Sequence, residues 1–158
     1  MAQLDDTALR AHLDNLLQME GAHLSFDQAV AGFPAAQRGT KPPGAPHSAW
    51  ELLEHMRLAQ EDILDFSRNP GYVDKTFPDD YWPASPEPPS EEGWQQSVEH
   101  FQQDLAAFRA LIADPANDLF TPLPHGTGQT LLREALVVAD HNSYHLGQFM
   151  YLKKQLQA

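Results

Sequence analysis

The sequence contains no cysteine. That absence removes disulfides, thiolate metal ligands and a protein-borne thiol nucleophile together, so thiol chemistry here requires a thiol supplied from outside the chain. It also fits a reducing, cytoplasmic setting. Basic residues are scarce: 10 Lys+Arg stand against 22 Asp+Glu, a formal charge of −12. Such a field repels phosphate backbones and anionic headgroups, which disfavours nucleic acid and membrane surfaces as partners. The acidic residues are scattered rather than run together, and their ordinary role is solubility. No apolar run reaches the length of a spanning helix. The opening MAQLDDTALRAHLDNLL turns acidic early and lacks an uninterrupted apolar stretch, so neither a signal peptide nor an anchor is expected. No segment alternates apolar and polar residues for long, which excludes half-buried strands and leaves an all-α reading. At 158 residues the chain fits a single domain, 1–158, able to bury roughly 70% of the surface that it exposes when unfolded.

Four helical segments are expected. The first covers residues 5–20, with Leu9, Leu13, Leu16 and Leu17 on one stripe, until Gly21 interrupts it. Ser25 with Gln28 forms a capping pair for a short further turn through Val30, closed by Phe33 and Pro34. Residues 38–46, RGTKPPGAP, read as a loop. The second helix opens on Ser48 with Glu51 three residues on, again the capping-box pattern. Its inward stripe reads Leu52, His55, Met56, Ala59, Ile63, Phe66 until Asn69-Pro70-Gly71 stops it. Residues 70–89 hold six prolines with Tyr72, Tyr81 and Trp82 and form a long irregular crossover, more often a packed surface connection than a lid. The third helix starts near Ser90 and places Trp94, Val98, Phe101, Leu105, Phe108 and Ile112 on one seam. The fourth runs from Thr130 to about 155 and is apolar nearly all round over 131–139, which predicts burial on every side there.

Eight histidines are more than packing requires. His141 and His145 are four apart on the inward face of the fourth helix, so both imidazoles can reach one point. A catalytic metal site takes three protein ligands and leaves a position to water or substrate. His55 is the natural third, being the histidine within the apolar stripe of the second helix. Three partly buried imidazoles with no acidic cluster beside them are costly unless something satisfies them. An all-nitrogen set suits one divalent ion, Zn, Ni or Fe. Around this set, Gln148 is placed to hydrogen-bond a ligand or substrate, whereas Tyr144 and Asn142 flank the ligands but project off their face. Glu51, one turn before His55, is a candidate general base whose capping role already accounts for it. Glu134 stands two turns from His141, too far to act, and Gly147 permits close helix approach. His125, in the loop leading to the fourth helix, is a candidate for the pocket mouth, with Tyr81 and Trp82 as candidate walls. His12, His23, His47 and His100 read as solvated.

The run TLLREALVVADHNSYHLGQFMYLKK, preceded by PHGTGQ, together with HSAWELLEHMRLAQEDIL, resembles the DinB-like superfamily of bacterial metalloproteins. The resemblance covers the second to fourth helices. It implies an antiparallel four-helix bundle with a long crossover between helices 2 and 3, metal ligands at the positions of His55, His141 and His145, and frequent homodimers. Members act as thiol S-transferases, thiol-dependent isomerases or metal-dependent hydrolases. It therefore implies a small-molecule substrate, with a low-molecular-weight thiol such as bacillithiol as cosubstrate, or water as the activated group. The competing expectation is a non-catalytic dimeric bundle, stress-related or ligand-binding, whose metal is structural.

Overall fold

Side-chain caps decide where the helices begin. Ser25, Ser48, Ser90 and Thr130 each accept a backbone N–H from the residue three positions on, satisfying a donor that the first turn leaves free. At Ser25 and Ser48 the reciprocal bonds from Gln28 and Glu51 complete capping boxes. The structure is a computed structural model and describes residues 6–19 and 21–157. Its helices are α1 (Thr7–Leu17), the short α2 (Phe26–Val30), α3 (Ala49–Arg68), α4 (Glu91–Ala113) and α5 (Leu131–Leu156), and no strand occurs among the described residues. The ends expected for the first helix, at 5 and 20, lie outside those residues. None of the helices is long and apolar enough to cross a membrane.

The four long helices form the bundle. Arg10 reaches the carbonyl of Ile112 and Asp14 pairs with Arg109, so α1 and α4 are antiparallel. His55 meets His145 and Gln60 meets Asn142 across α3 and α5, also antiparallel. Ser97 bonds Glu54 while the carbonyl of Phe101 bonds Gln60, so α3 and α4 run parallel. A parallel pair needs a connection that travels the helix length, and the crossover supplies it. That segment packs on α3, with a 3-10 turn at Asp79–Tyr81 and a cis bond at Phe77-Pro78.

Two apolar clusters fill the bundle. One gathers Phe33, Met56, Trp94, Phe101 and Phe149, the other Leu17, Leu64, Phe108, Ile112 and Val138. Between them α3 and α5 carry His55, Gln60, His141, Asn142 and His145. Here the structure departs from the expected stripe of the second helix: Gln60 and Leu64 are buried, whereas Ile63 and Phe66 are half-buried. Gln60 turns inward because it bonds both the Phe101 carbonyl (2.7 Å) and Asn142 (2.8 Å), which satisfies a polar side chain inside the core. The first turns of α5 are not buried all round either. Leu136 is 47% exposed, because only the bundle side of α5 has neighbours to pack on.

Candidate metal centre

Helical spacing puts His141 and His145 one turn apart on α5, and antiparallel packing brings α3 opposite with His55. One nitrogen from each of the three lies within 4.8 Å of the others, a group that could hold a metal ion. The Nε2 atoms of His55 and His141 are 3.1 Å apart. Two ligands at about 2.0–2.1 Å in tetrahedral geometry stand roughly 3.3 Å apart, so the pair already has nearly the separation that a shared ion imposes.

Outer hydrogen bonds decide which nitrogens are free. His55 Nδ1–H donates to the carbonyl of Tyr81 (2.8 Å), which leaves its Nε2 lone pair facing the other two rings. His145 Nδ1–H donates to Gln148 Oε1 (2.7 Å), which does the same for its Nε2. Burial, reinforced by the neighbouring His145 and His55, pushes His141 down to about 4. Burial likewise lowers His145 to about 4, against the opposing bond to Gln148. His55 is also lowered by burial. All three rings are therefore neutral at pH 7, the form in which imidazole ligates. Three neutral rings, each able to turn one lone pair toward a common point, suit a cation, so the residues present fit a divalent metal.

The crossover walls the group. The Trp82 indole lies flat on His55 (3.8 Å between centroids, 3° between planes), and His47 stacks on it at 4.1 Å. Two rings at such distances occupy opposite faces of the indole, so Trp82 is sandwiched. His47 is thus half-buried against Trp82 rather than solvated as expected, because the loop before Ser48 folds back over the crossover. His12, His23 and His100 are exposed.

On the other side a hollow of about 540 Å³ opens between Leu136, Val137, Tyr144 and the two α5 histidines, with Arg133 and Asp140 at its rim. A second hollow of about 350 Å³ is bounded by His47, Leu52, Gln148 and Leu152. Tyr144, 62% exposed, meets His145 edge-on at 4.9 Å. Asn142 is buried and donates to Gln60 on α3 (2.8 Å), a packing role.

Two of the candidate residues are occupied elsewhere. Glu51 is held by the Ser48 cap and by Lys41 at 2.8 Å. His125 Nε2–H donates to the Phe66 carbonyl (2.7 Å), so it closes the far end of α3, 11 positions beyond His55, and not the mouth of this group. The residue that sequence reasoning passed over is Asp62. Buried on α3, it accepts hydrogen bonds from Tyr72 (3.0 Å) and Tyr81 (2.6 Å). The one sequence signal was its position three residues after Ala59, at the edge of the helix's inward stripe.

The sequence model of the DinB superfamily matches residues 18–149, a span that contains all three histidines. No curated protein and no solved structure matches the chain.

Proposed function

The chain belongs to the DinB superfamily, and from that premise and the histidine geometry we propose a metal-dependent enzyme that activates a small thiol cosubstrate or water against an electrophilic substrate. His55, His141 and His145 are the proposed ligands of one divalent ion, Zn, Ni or Fe. The observation that carries the reading is the convergence of three neutral imidazoles within 4.8 Å, two of them oriented by outer hydrogen bonds. Bound there, such an ion supplies Lewis-acid chemistry, lowering the pKa of a water or thiol that takes its open position.

The chain's own residues define the rest. Tyr81 and Gln148 hold two ligand rings in the tautomer that presents Nε2. Trp82 covers His55 and keeps water off that ring. Leu136, Val137 and Tyr144 offer an apolar bed beside His141 and His145 for the body of a small substrate. The chain has no cysteine, so a reacting thiol arrives as a separate molecule. A structural ion is normally enclosed by four protein ligands. Among the described residues this group supplies three, which favours an open site. On the family's pattern the working form is a homodimer.

Elemental analysis of untagged protein tests the reading. Wild type is expected to hold about one equivalent of Zn, Ni or Fe, and His141→Ala none. A full equivalent in the variant, or none in wild type after reconstitution, overturns it.

A further inference from the structure

The crossover is fastened to α3 through one carboxylate. Asp62 is buried, and a buried carboxylate is tolerated only when its oxygens are satisfied. Tyr72 Oη donates to Oδ1 (3.0 Å) and Tyr81 Oη donates to Oδ2 (2.6 Å). Burial first, and the Asp62 carboxylate second, raise both phenols above their ordinary range, Tyr72 to about 12, so both remain donors at neutral pH. Tyr81 has a second attachment: its backbone carbonyl receives the His55 Nδ1–H at 2.8 Å. The next residue, Trp82, lies flat on the same imidazole.

His55 and Asp62 are therefore joined twice, once along two turns of α3 and once through Tyr81, whose phenol touches one and whose carbonyl touches the other. That closed circuit adds a fastening at Tyr81 itself to those that follow in the segment, Trp82 between His47 and His55 and the Ser48 hydroxyl on the Pro86 carbonyl. Without a fixed acceptor, Nδ1 of His55 has no preference for carrying the proton, and Nε2 is then protonated part of the time.

We propose that Asp62 is a positioning residue: by gripping Tyr81 it fixes the Tyr81 carbonyl on His55, selecting the tautomer that presents Nε2 to His141 and His145, and seats Trp82 over the ring. The consequence for metal affinity rests on the metal-site reading above; the consequence for the tautomer does not.

Two measurements separate them. Ring ¹H–¹⁵N spectra of the metal-free protein at pH 7 report the His55 tautomer, and competition with a chromophoric chelator reports Zn(II) affinity. Wild type is expected to show His55 protonated at Nδ1. Asp62→Asn and Tyr81→Phe are expected to show mixed tautomers and to bind Zn(II) roughly 10–100-fold more weakly, the usual loss when a ligand's outer partner is released. Tyr72→Phe removes an equivalent phenol bond from Asp62 but has no backbone link to His55. It is expected to keep the wild-type tautomer and an affinity within about threefold, below the range expected for a released ligand. Should Asp62→Asn fail to fold, the contrast between Tyr81→Phe and Tyr72→Phe decides alone. Unchanged His55 spectra in Tyr81→Phe, or equal losses in the two tyrosine variants, overturn the proposal. If wild type binds no Zn(II), the metal-site reading fails, while the ring spectra still decide what Asp62 does.

Discussion

If the three histidines hold an ion as proposed, removing it should lower the melting temperature without unfolding the protein, and the size of the effect follows from where the histidines sit. Trp94, Phe101 and Phe149 on one side and Phe108 and Ile112 on the other are buried in two large apolar clusters. The apo fold is expected to stand on these clusters, and an ion that binds only the folded chain adds stability by mass action. At free Zn(II) one hundred times Kd the increment is about 2.7 kcal/mol. For a chain of this length that corresponds to roughly 5–11 °C. Scanning calorimetry of untagged protein with EDTA and with Zn(II), beside His141→Ala, is the assay. The pH dependence supplies the sharper check. The folded pKa values of His141 and His145 lie near 4, below the ordinary 6.5, so between those values the unfolded chain takes protons that the folded chain refuses. Metal-free stability should thus fall as pH drops through that window, with a dependence approaching two protons. Metal has almost no protons to displace from His141 and His145 until about pH 4, so these two ligands should let the Zn(II) increment survive at pH 5.5. No increment at pH 7, an increment retained by His141→Ala, or one that vanishes near pH 6.5 would refute the reasoning.

Two other side chains give separate tests. Gln148→Leu removes the acceptor of the His145 Nδ1–H and should weaken Zn(II) binding about 10-fold by chelator competition; unchanged affinity would show that Gln148 does not orient the ring. Arg10 is buried and donates to the carbonyls of Ile112 (2.5 Å), Asp114 (3.0 Å) and Asn117 (2.8 Å), closing the C-terminal end of α4. Arg10→Met should cost about 2–4 kcal/mol in urea unfolding while leaving metal stoichiometry unchanged, and a loss below about 0.5 kcal/mol would contradict the capping role.

The sequence carried the fold wherever a local rule acts alone. Ser48 with Glu51 announces the start of α3, Thr130 that of α5, and the four-three spacing from Trp94 to Ile112 describes the face that α4 buries, with Leu105 left half-buried. His141 and His145 were visible as a pair for the same reason, since helical spacing is local. Legibility failed where a residue answers to a distant partner. Gln60 looks like a surface residue until Phe101 and Asn142 arrive from two other helices. Ile63 and Phe66 look like core until Gln60 and Leu64 occupy the inward side. His47 looks solvated because nothing local foretells that Trp82 folds onto it. His125 sits in the loop leading to α5, yet the carbonyl that it satisfies belongs to α3.

The Tyr81 carbonyl is the extreme case, because a backbone acceptor has no sequence signature and the segment that carries it is irregular. Its position is nevertheless specified, since the parallel run of α3 and α4 obliges the connecting chain to travel back along the bundle. That path crosses the level at which the two apolar clusters give way to the histidines. A crossover there must either leave the imidazoles to water or furnish partners for them. With Asp62 anchoring Tyr81 and Tyr72 it furnishes partners, an acceptor for His55 Nδ1 and an indole against the ring face. The same constraint that lengthens the connection thus brings it to the site, which is why a loop that reads as a surface strap by composition governs a buried histidine.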